Sequence, residues 1–305
     1  MPGYTVIHAE GKTRHCYPID GWYDGPDEDT YHQLHHHGVA VESELMAYRI
    51  YFDKKQTIDV YCKRTPRLEL AQSYWYPNDS LLAAHYGDDI LRVGSTVGVG
   101  TVKYWNDRLY HIEEVGERQQ WIVRQTRSKA TVAVGDIDWT IPDGRQDLPE
   151  TRQMTSLRAD YTIRAGHRDM RCDVFVTDPV EGLCTGVQLL PGKAELIEET
   201  DRGVLLASWG TDWPVNDSVK YAKESVGLAV FIPKPFAGRP VHDSRNNLCL
   251  LKVKSRESRV KSHEWGEYTC HFYLTCVGAT KEDHPVATNA AEWYEYVRRW
   301  AKKLK

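Results

Sequence analysis

Residues 35–63 concentrate side chains that carry charge and move protons. The stretch HHHGVAVESELMAYRIYFD at residues 35–53 is followed five residues later by DVYCK. Together the two stretches hold three histidines, two glutamates, one arginine and three tyrosines. Imidazole, carboxyl and phenol groups serve as general acids and bases, and a cation neutralises a bound carboxylate. The region therefore indicates a binding cleft with proton-transfer chemistry.

The reaction that these residue types favour is β-elimination on a uronic-acid-containing glycan. It needs a cation on the uronate carboxylate, which Arg49 or Lys63 would supply, and the planar guanidinium is the better geometric match. It also needs a base and an acid, which His36 or His37 would share with a tyrosine. The catalytic candidates are these residues and their neighbours in the sequence: His36, His37, Glu44, Arg49, Tyr51, Asp59, Tyr61 and Lys63.

Three other functions stay open. A glycoside hydrolase would use the carboxylates of Glu42, Glu44 and Asp59, because the first two share a face of one strand. A noncatalytic carbohydrate-binding protein would use tryptophans as stacking platforms. A mutarotase-like enzyme would use a pair of one histidine and one glutamate.

The substrate-binding candidates are aromatic residues: Trp22, Tyr48, Trp75, Trp209 and Trp213. The chain has 10 Trp and 18 Tyr against 5 Phe, and rings with a polar edge suit a wet surface that stacks on sugars. Trp209 and Trp213 flank a turn in SWGTDWPVND, where they form either a stacking platform or a cap on the fold. The predicted partner is an anionic carbohydrate.

Metal and nucleotide cofactors are not predicted. On a strand only His35 and His37 of the three histidines would share a face, and zinc needs a third protein ligand, so these two are metal candidates without a complete site. The glycines of GDDILRVGSTVGVGTVKYW lack the order of a phosphate-binding loop and instead predict bulges or close backbone approach. We therefore expect no cofactor.

Two strands joined by a short turn would position the reactive side chains. Successive side chains of a strand alternate between its faces, which places Asp59, Tyr61 and Lys63 together. An even number of turn residues would bring Glu44 and Tyr48 beside them. An odd number would bring Arg49 and Tyr51 instead. A polar face is also an ordinary feature of an antiparallel sheet, and the adjacent histidines are what favour a functional interpretation.

The rest of the chain predicts an all-β fold, a large antiparallel β-sandwich with a C-terminal α-helix. Segments such as MRCDVFVTD and SVGLAVFIP alternate, are rich in Val, Ile, Tyr and Thr, and are separated by turn residues. A helix is predicted over 288–304, with a weaker helical candidate within 66–79. Residues 9–34 predict an irregular aromatic loop, and the whole of 1–305 a single domain. The seven cysteines contain no CxxC pair and predict buried free thiols.

Charge and hydropathy argue against two classes of partner. The net charge is −4 and no basic block suits a nucleic acid. No apolar run approaches the length that spans a bilayer. The first residues lack the apolar run of a signal peptide. We expect a soluble protein, periplasmic or secreted if a leader was removed and cytoplasmic otherwise.

Three blocks in order resemble one known family. They are HHHGVAVESELMAYRIYFDKKQTIDVYCK, DDILRVGSTVGVGT and SVGLAVFIPK. The chain resembles the bacterial proteins grouped as DUF4861 over most of residues 32–280. This resemblance implies a supersandwich related to galactose mutarotase-like and polysaccharide-lyase β-domains, and a role in glycan breakdown.

Overall fold

The computed structural model describes most of the chain outside residues 9–34. The described ranges are 6–8, 35–51, 55–73, 76–110, 117–126, 128–141, 153–192, 194–255 and 266–304. The predicted aromatic loop at 9–34, which includes Trp22, lies outside the described residues, and so does Trp75.

Nineteen strands and two α-helices are present in these ranges. The first strands are β1 (Val6–His8), β2 (Gly38–Glu42), β3 (Met46–Tyr51), β4 (Ile58–Cys62), β5 (Asp88–Asp89), β6 (Lys103–Trp105) and β7 (Leu109–Tyr110). The next are β8 (Glu117–Thr126), β9 (Lys129–Ile141), β10 (Gln153–Arg164), β11 (Met170–Val176), β12 (Leu183–Gln188) and β13 (Ala194–Glu199). The last are β14 (Gly203–Asp212), β15 (Glu224–Pro233), β16 (Ala237–His242), β17 (Asn246–Leu251), β18 (Lys254–Ser255) and β19 (Tyr268–Gly278). The helices are α1 (Asp79–Ala83) and α2 (Ala290–Lys303).

The strands form three sheets. The wide sheet has nine strands in the order β13-β14-β15-β19-β11-β10-β9-β8, with β18 beside β19. The site sheet has the order β1-β2-β3-β4-β5, and the third sheet the order β16-β17-β12-β6-β7. Among the described strand pairs only β1 and β2 run parallel. The all-β antiparallel architecture predicted from the sequence is confirmed.

One apolar core lies between the wide sheet and the two smaller sheets. Strand β11 shows how the sequence builds it, because its side chains alternate strictly between buried and half-buried positions. The buried set of β11 packs with Val39 and Val60 of the site sheet and with Val187 of the third sheet. The sandwich is therefore held by burial of alternating apolar side chains from all three sheets.

The predicted C-terminal helix is present as α2. Asn289 caps it, and the Asn289 side chain accepts a hydrogen bond from Glu292 N at 3.1 Å. One face of α2 carries a stripe of Trp293, Val297 and Trp300, and this stripe is buried. It packs on the outer face of the wide sheet, where Trp293 Nε1 donates to the carbonyl of Leu228 at 3.3 Å.

The weaker helix predicted within 66–79 is wrong for the part of that segment that the structure describes. Residues 70–72 form a turn, and α1 begins only at Asp79. The backbone N–H groups of Glu69 and Leu70 donate to the Glu42 carboxylate instead of to helical carbonyls. Tertiary hydrogen bonds thus outweigh the helical propensity of this segment.

Gly98 confirms the prediction of close backbone approach. Its φ is +58°, and a Cβ atom there would lie 2.2 Å from the carbonyl oxygen of Ile58. Gly94 also has a positive φ of +49°, but a Cβ there would meet open space.

We expect Gly98→Ala to lower the free energy of unfolding by about 2 kcal/mol or more, since backbone strain and a clash with backbone atoms act together. Gly94→Ala is the matched control, with strain alone and a cost of about 1 kcal/mol. Urea denaturation of both variants measures the difference. Equal costs would contradict the role assigned to the Ile58 contact.

The cysteines behave as predicted where they are described. Six of the seven are buried and free, and Cys16 lies outside the described residues. Burial raises the pKa of Cys276 and of Cys270 to about 12. These thiols are therefore core side chains.

His271 makes stability depend on pH. Its ring packs edge-on against Phe236 at 4.7 Å and Tyr273 at 5.6 Å. Burial lowers its pKa from 6.5 to about 4, and the charge of Arg171 adds to the effect. Between these two pH values the His271 ring is protonated in the unfolded chain and neutral in the folded protein. The free energy of unfolding therefore falls as the pH drops through this range.

We expect this loss to stay below about 2 kcal/mol, because the ring is partly exposed and solvent screens its charge. The His271→Gln protein should lack this part of the pH dependence of stability. Urea denaturation of both proteins at about pH 7 and about pH 4.5 isolates it, because the other acidic groups are common to both. The same pH dependence in the two proteins would contradict the assignment.

Candidate functional site

The register of the site sheet resolves the choice left open by the turn between β3 and β4. Arg49 pairs with Asp59, and Ala47 pairs with Tyr61. Directly opposed residues of an antiparallel pair share a face, so the alternative observed is the one that brings Arg49 and Tyr51 beside Asp59 and Tyr61. Asp89 joins this face, because β5 pairs with β4 through Asp89 and Tyr61. The face is called the polar face below.

The centre of the polar face is the guanidinium of Arg49. Its Nη2 atom donates to the carboxylates of both Asp59 and Asp89. The same atom lies 3.4 Å from the Tyr51 hydroxyl, which itself donates to Asp59 Oδ2 at 2.8 Å. The side chains of Arg49 and Asp59 are 0% exposed and that of Asp89 is 2% exposed. Two acids and a phenol thus share one buried cation.

The aromatic neighbours complete this cluster. The Arg49 guanidinium lies 5.7 Å from the ring centre of Tyr51 and 5.6 Å from that of Tyr76. The His37 ring stands edge-on to Tyr51 at 6.0 Å. Two neighbouring rings and two carboxylates on the same nitrogen thus hold the guanidinium in place.

Burial and neighbouring charges shift the pKa values of the Asp89 carboxyl and the Tyr51 phenol. Burial raises the pKa of Asp89 well above its usual value, and the negative charge of Asp59 raises it further. Burial also raises the pKa of Tyr51, although the charge of Arg49 opposes the rise. Tyr51 is therefore a neutral phenol near pH 7, and Asp89 takes up a proton more readily than an ordinary aspartate.

A cavity of about 230 Å³ opens beside this cluster. Tyr51, Tyr76 and Asp89 form its inner wall. Arg92 and Asn216 lie at its exposed end, where Arg92 Nη1 donates to Asn216 Oδ1 at 2.8 Å. Lys55 and Thr57 also line it. The cavity therefore connects solvent to the phenol and carboxyl of the cluster.

The other end of the polar face is closed by a second network. Lys63 Nζ donates to the Glu42 carboxylate, to Ser43 O at 2.5 Å and to Arg67 O at 2.6 Å. An ammonium group has three N–H donors, and all three are used. The Tyr61 hydroxyl donates to Gly87 O at 2.9 Å. The role of these side chains is structural, because they hydrogen-bond the backbone of adjacent segments. The cavity lining does not include Lys63, Glu42 or Tyr61.

The triple histidine forms a 3₁₀ turn before β2, not a strand. His36 and His37 both have positive φ angles, 59° and 57°. His36 Nε2 lies 2.9 Å from the carbonyl oxygen of Leu70. Of the three histidines, the side chain of His35 is outside the described part of the structure. The left-handed backbone is a strained conformation for histidine, and here it places His37 against Tyr51.

Four other predicted site residues do not line the cavity. Tyr48 is on the core face of β3 and its hydroxyl donates to Arg168 O at 2.5 Å. Glu44 accepts from Gly166 N at 2.8 Å. Trp209 is buried beneath α2, whereas Trp213 is half-buried near the cavity segment that begins at Pro214. Of this group, only Trp213 lies next to the cavity lining.

Sequence reasoning missed Asp89, Tyr76 and Arg92. In GDDILRVGSTVGVGTVKYW the prediction rests on the glycines and on the family resemblance, not on the acids or the arginine. The adjacent pair of Asp88 and Asp89 before an apolar run was the available signal. Neither a strand period nor a spacing rule shows that this two-residue strand pairs with β4.

A metal centre is not supported in the described residues, where no three His, Cys, Asp or Glu side chains are grouped to hold an ion. In the same ranges no helix has both the length and the apolar character to cross a bilayer. The family model for a domain of unknown function, DUF4861, matches residues 22–305.

The chain belongs to the DUF4861 family. No curated protein matches it. The match includes β2 to β5, which carry the polar face of this DUF4861 protein, and every strand of the wide sheet and the third sheet; β1 lies before it. The cavity therefore lies wholly within the part of the chain that defines the family.

Proposed function

We propose that the protein is a carbohydrate-active enzyme that cleaves a uronic-acid-containing polysaccharide or oligosaccharide by β-elimination. The observation that carries the proposal is the placement of Tyr51. Its phenol bonds to Asp59, lies next to the Arg49 guanidinium and forms part of the wall of a cavity that ends in cationic side chains. The role in glycan breakdown implied by the resemblance is part of this proposal.

The cations at the cavity supply the recognition of a carboxylate. Arg92 lies at the exposed end and Lys55 is half-buried in the lining. Arg49 and Lys63 are the predicted carboxylate ligands, but Arg49 Nη2 already donates to Asp59 and Asp89, and all three donors of Lys63 are used. In this proposal Arg92 and Lys55 bind the uronate, which makes the C5 proton more acidic, and Arg49 positions the proton-transfer groups.

Proton transfer is assigned to Tyr51 and Asp89. As the C5–H bond breaks, the proton passes to Tyr51, which releases its own proton to Asp59. The electron pair of that bond forms the C4=C5 double bond, and the C4–O bond breaks. The leaving oxygen takes a proton from Asp89, whose raised pKa suits a general acid. Solvent then returns the protons to their starting groups.

Glycoside hydrolysis is the second candidate, and one observation favours it. Asp89 has the raised pKa that a hydrolase acid needs, and Asp59 is a second carboxyl beside it. Both carboxyls contact the same nitrogen of Arg49, however, which leaves no room for a sugar between them. Glu42 and Glu44, the other two carboxylates predicted for hydrolysis, bind Lys63 and Gly166 and do not line the cavity.

The test is incubation of the purified protein with polygalacturonate, alginate and neutral dextran. Elimination yields new chain ends together with ultraviolet absorbance from the unsaturated uronate. New reducing ends without that absorbance would replace elimination by hydrolysis. No new ends on any uronate polymer would overturn the proposal of an enzyme. Dextran controls for cleavage that does not depend on a carboxylate.

A further inference from the structure

We infer that residues 213–223 form a second subsite that binds another acidic sugar unit of a polymeric substrate next to the cavity. The inference rests on the proposed function, because it specifies the kind of uronate substrate that the same site takes. These residues connect β14 to β15, and none of them takes part in the proton transfer proposed above.

The segment is continuous with the cavity. Pro214, Val215 and Asn216 form one side of the lining. Asn216 holds Arg92 through the 2.8 Å hydrogen bond, and Asp212 at the end of β14 binds the same guanidinium at 3.2 Å. A glycan that places one carboxylate at Arg92 would therefore extend directly over the segment.

The backbone of the segment is ordered by its own side chains. Asp217 Oδ1 accepts hydrogen bonds from Val219 N at 3.1 Å and from Lys220 N at 3.0 Å. The amide of Tyr221 donates to Asp217 O at 3.2 Å. This turn chemistry sets the positions of Lys220 and Tyr221, so the two side chains are presented together.

The segment contains two pairs of an aromatic ring and a lysine. Lys223 Nζ lies 5.6 Å from the centre of the Trp213 ring, and Lys220 Nζ lies 5.6 Å from the centre of the Tyr221 ring. Both rings are half-buried and both lysines are exposed. A sugar needs an apolar surface for its ring face, and an acidic sugar also needs a cation for its carboxylate. Each pair supplies both groups.

Tyr221 links the pairs to the catalytic cluster. Its ring centre lies 6.4 Å from that of Tyr76, the residue that lines the cavity and faces Arg49. Tyr51 and Tyr76 both line the cavity, so aromatic rings continue from the cavity lining to Tyr221. This continuity, rather than the exposure of two lysines, is what favours a polymer over a single sugar.

The test measures binding without turnover by using the Tyr51→Phe protein as the parent. Calorimetric titration with polygalacturonate as the probe is compared with titration with galacturonate. We expect Lys220→Ala with Lys223→Ala to weaken binding of the polymer about tenfold and to leave binding of the monomer unchanged. The matched control is Lys303→Ala, which removes an exposed lysine from α2 and should change neither.

The outcomes separate the subsite from the reaction. Equal polymer affinity in the parent and in the double lysine variant, or no polymer binding by the parent, overturns the subsite. Loss of polymer affinity in the double variant supports it even if the wild-type protein releases no unsaturated product. In that case the assignment of β-elimination fails and the binding site remains.

Discussion

Tyr51→Phe is expected to lower kcat/KM on a uronate polymer by about 100-fold or more. The change removes one oxygen atom, which accepts from Arg49 and donates to Asp59 at the wall of the cavity. The ring that packs between His37 and the Arg49 guanidinium is retained. The assay follows the absorbance of the unsaturated product, and circular dichroism shows whether the fold is intact.

The matched control is Tyr61→Phe, since both tyrosines lie on the same face and both hydroxyls donate to protein acceptors. The Tyr61 hydroxyl bonds to Gly87 O away from the cavity, so its loss should reduce stability by about 1 kcal/mol and preserve activity. An active Tyr51→Phe protein, or equal loss of activity in both variants, would remove Tyr51 from the reaction.

Arg49→Met is expected to lower the free energy of unfolding by about 3–5 kcal/mol, because it leaves two buried carboxyls without their cation. Asp59 and Asp89 both bind the Arg49 guanidinium, and Arg49 and Asp59 are completely excluded from solvent. Urea denaturation at neutral pH measures the loss. Arg92→Met provides the control, since that arginine is exposed and its pair with Asp212 should contribute less than about 1 kcal/mol.

The pH dependence of the Arg49→Met protein carries a second test. Removal of the cation also removes the charge that opposes the raised pKa of Asp89, so the folded pKa of Asp89 lies further above the unfolded one. Stability relative to the wild-type protein should then recover as the pH falls toward the unfolded pKa of about 4. A second substitution, Asp59→Asn, in the Arg49→Met protein should restore part of the lost stability at neutral pH. A loss that is independent of pH would show that packing, not charge, explains the effect.

The fold was predictable because its signals are local. Alternation in segments such as MRCDVFV matches the two-residue period of a strand, and the spacing of Trp293, Val297 and Trp300 matches a helix. The helix within 66–79 failed for the opposite reason. Its backbone donors bind Glu42, a residue 27 positions away from Glu69, and no local pattern contains that contact.

The site was only partly predictable. The sequence brought Arg49, Tyr51 and Asp59 into one region, but whether they share a face depends on the turn between β3 and β4. Asp89 joins them through tertiary pairing of a two-residue strand. Burial was also beyond prediction: a polar alternating strand usually faces water, whereas here Lys63 and Glu42 are covered and fully hydrogen-bonded.

Strand β19 sets the order in which the wide sheet can be assembled. It follows every other described strand in the chain, yet it lies between β15 and β11 and is hydrogen-bonded to both. During synthesis on a ribosome, the edges of β15 and β11 that face β19 stay unpaired until β19 has been synthesised. Such late closure slows folding and leaves strand edges exposed until β19 has paired.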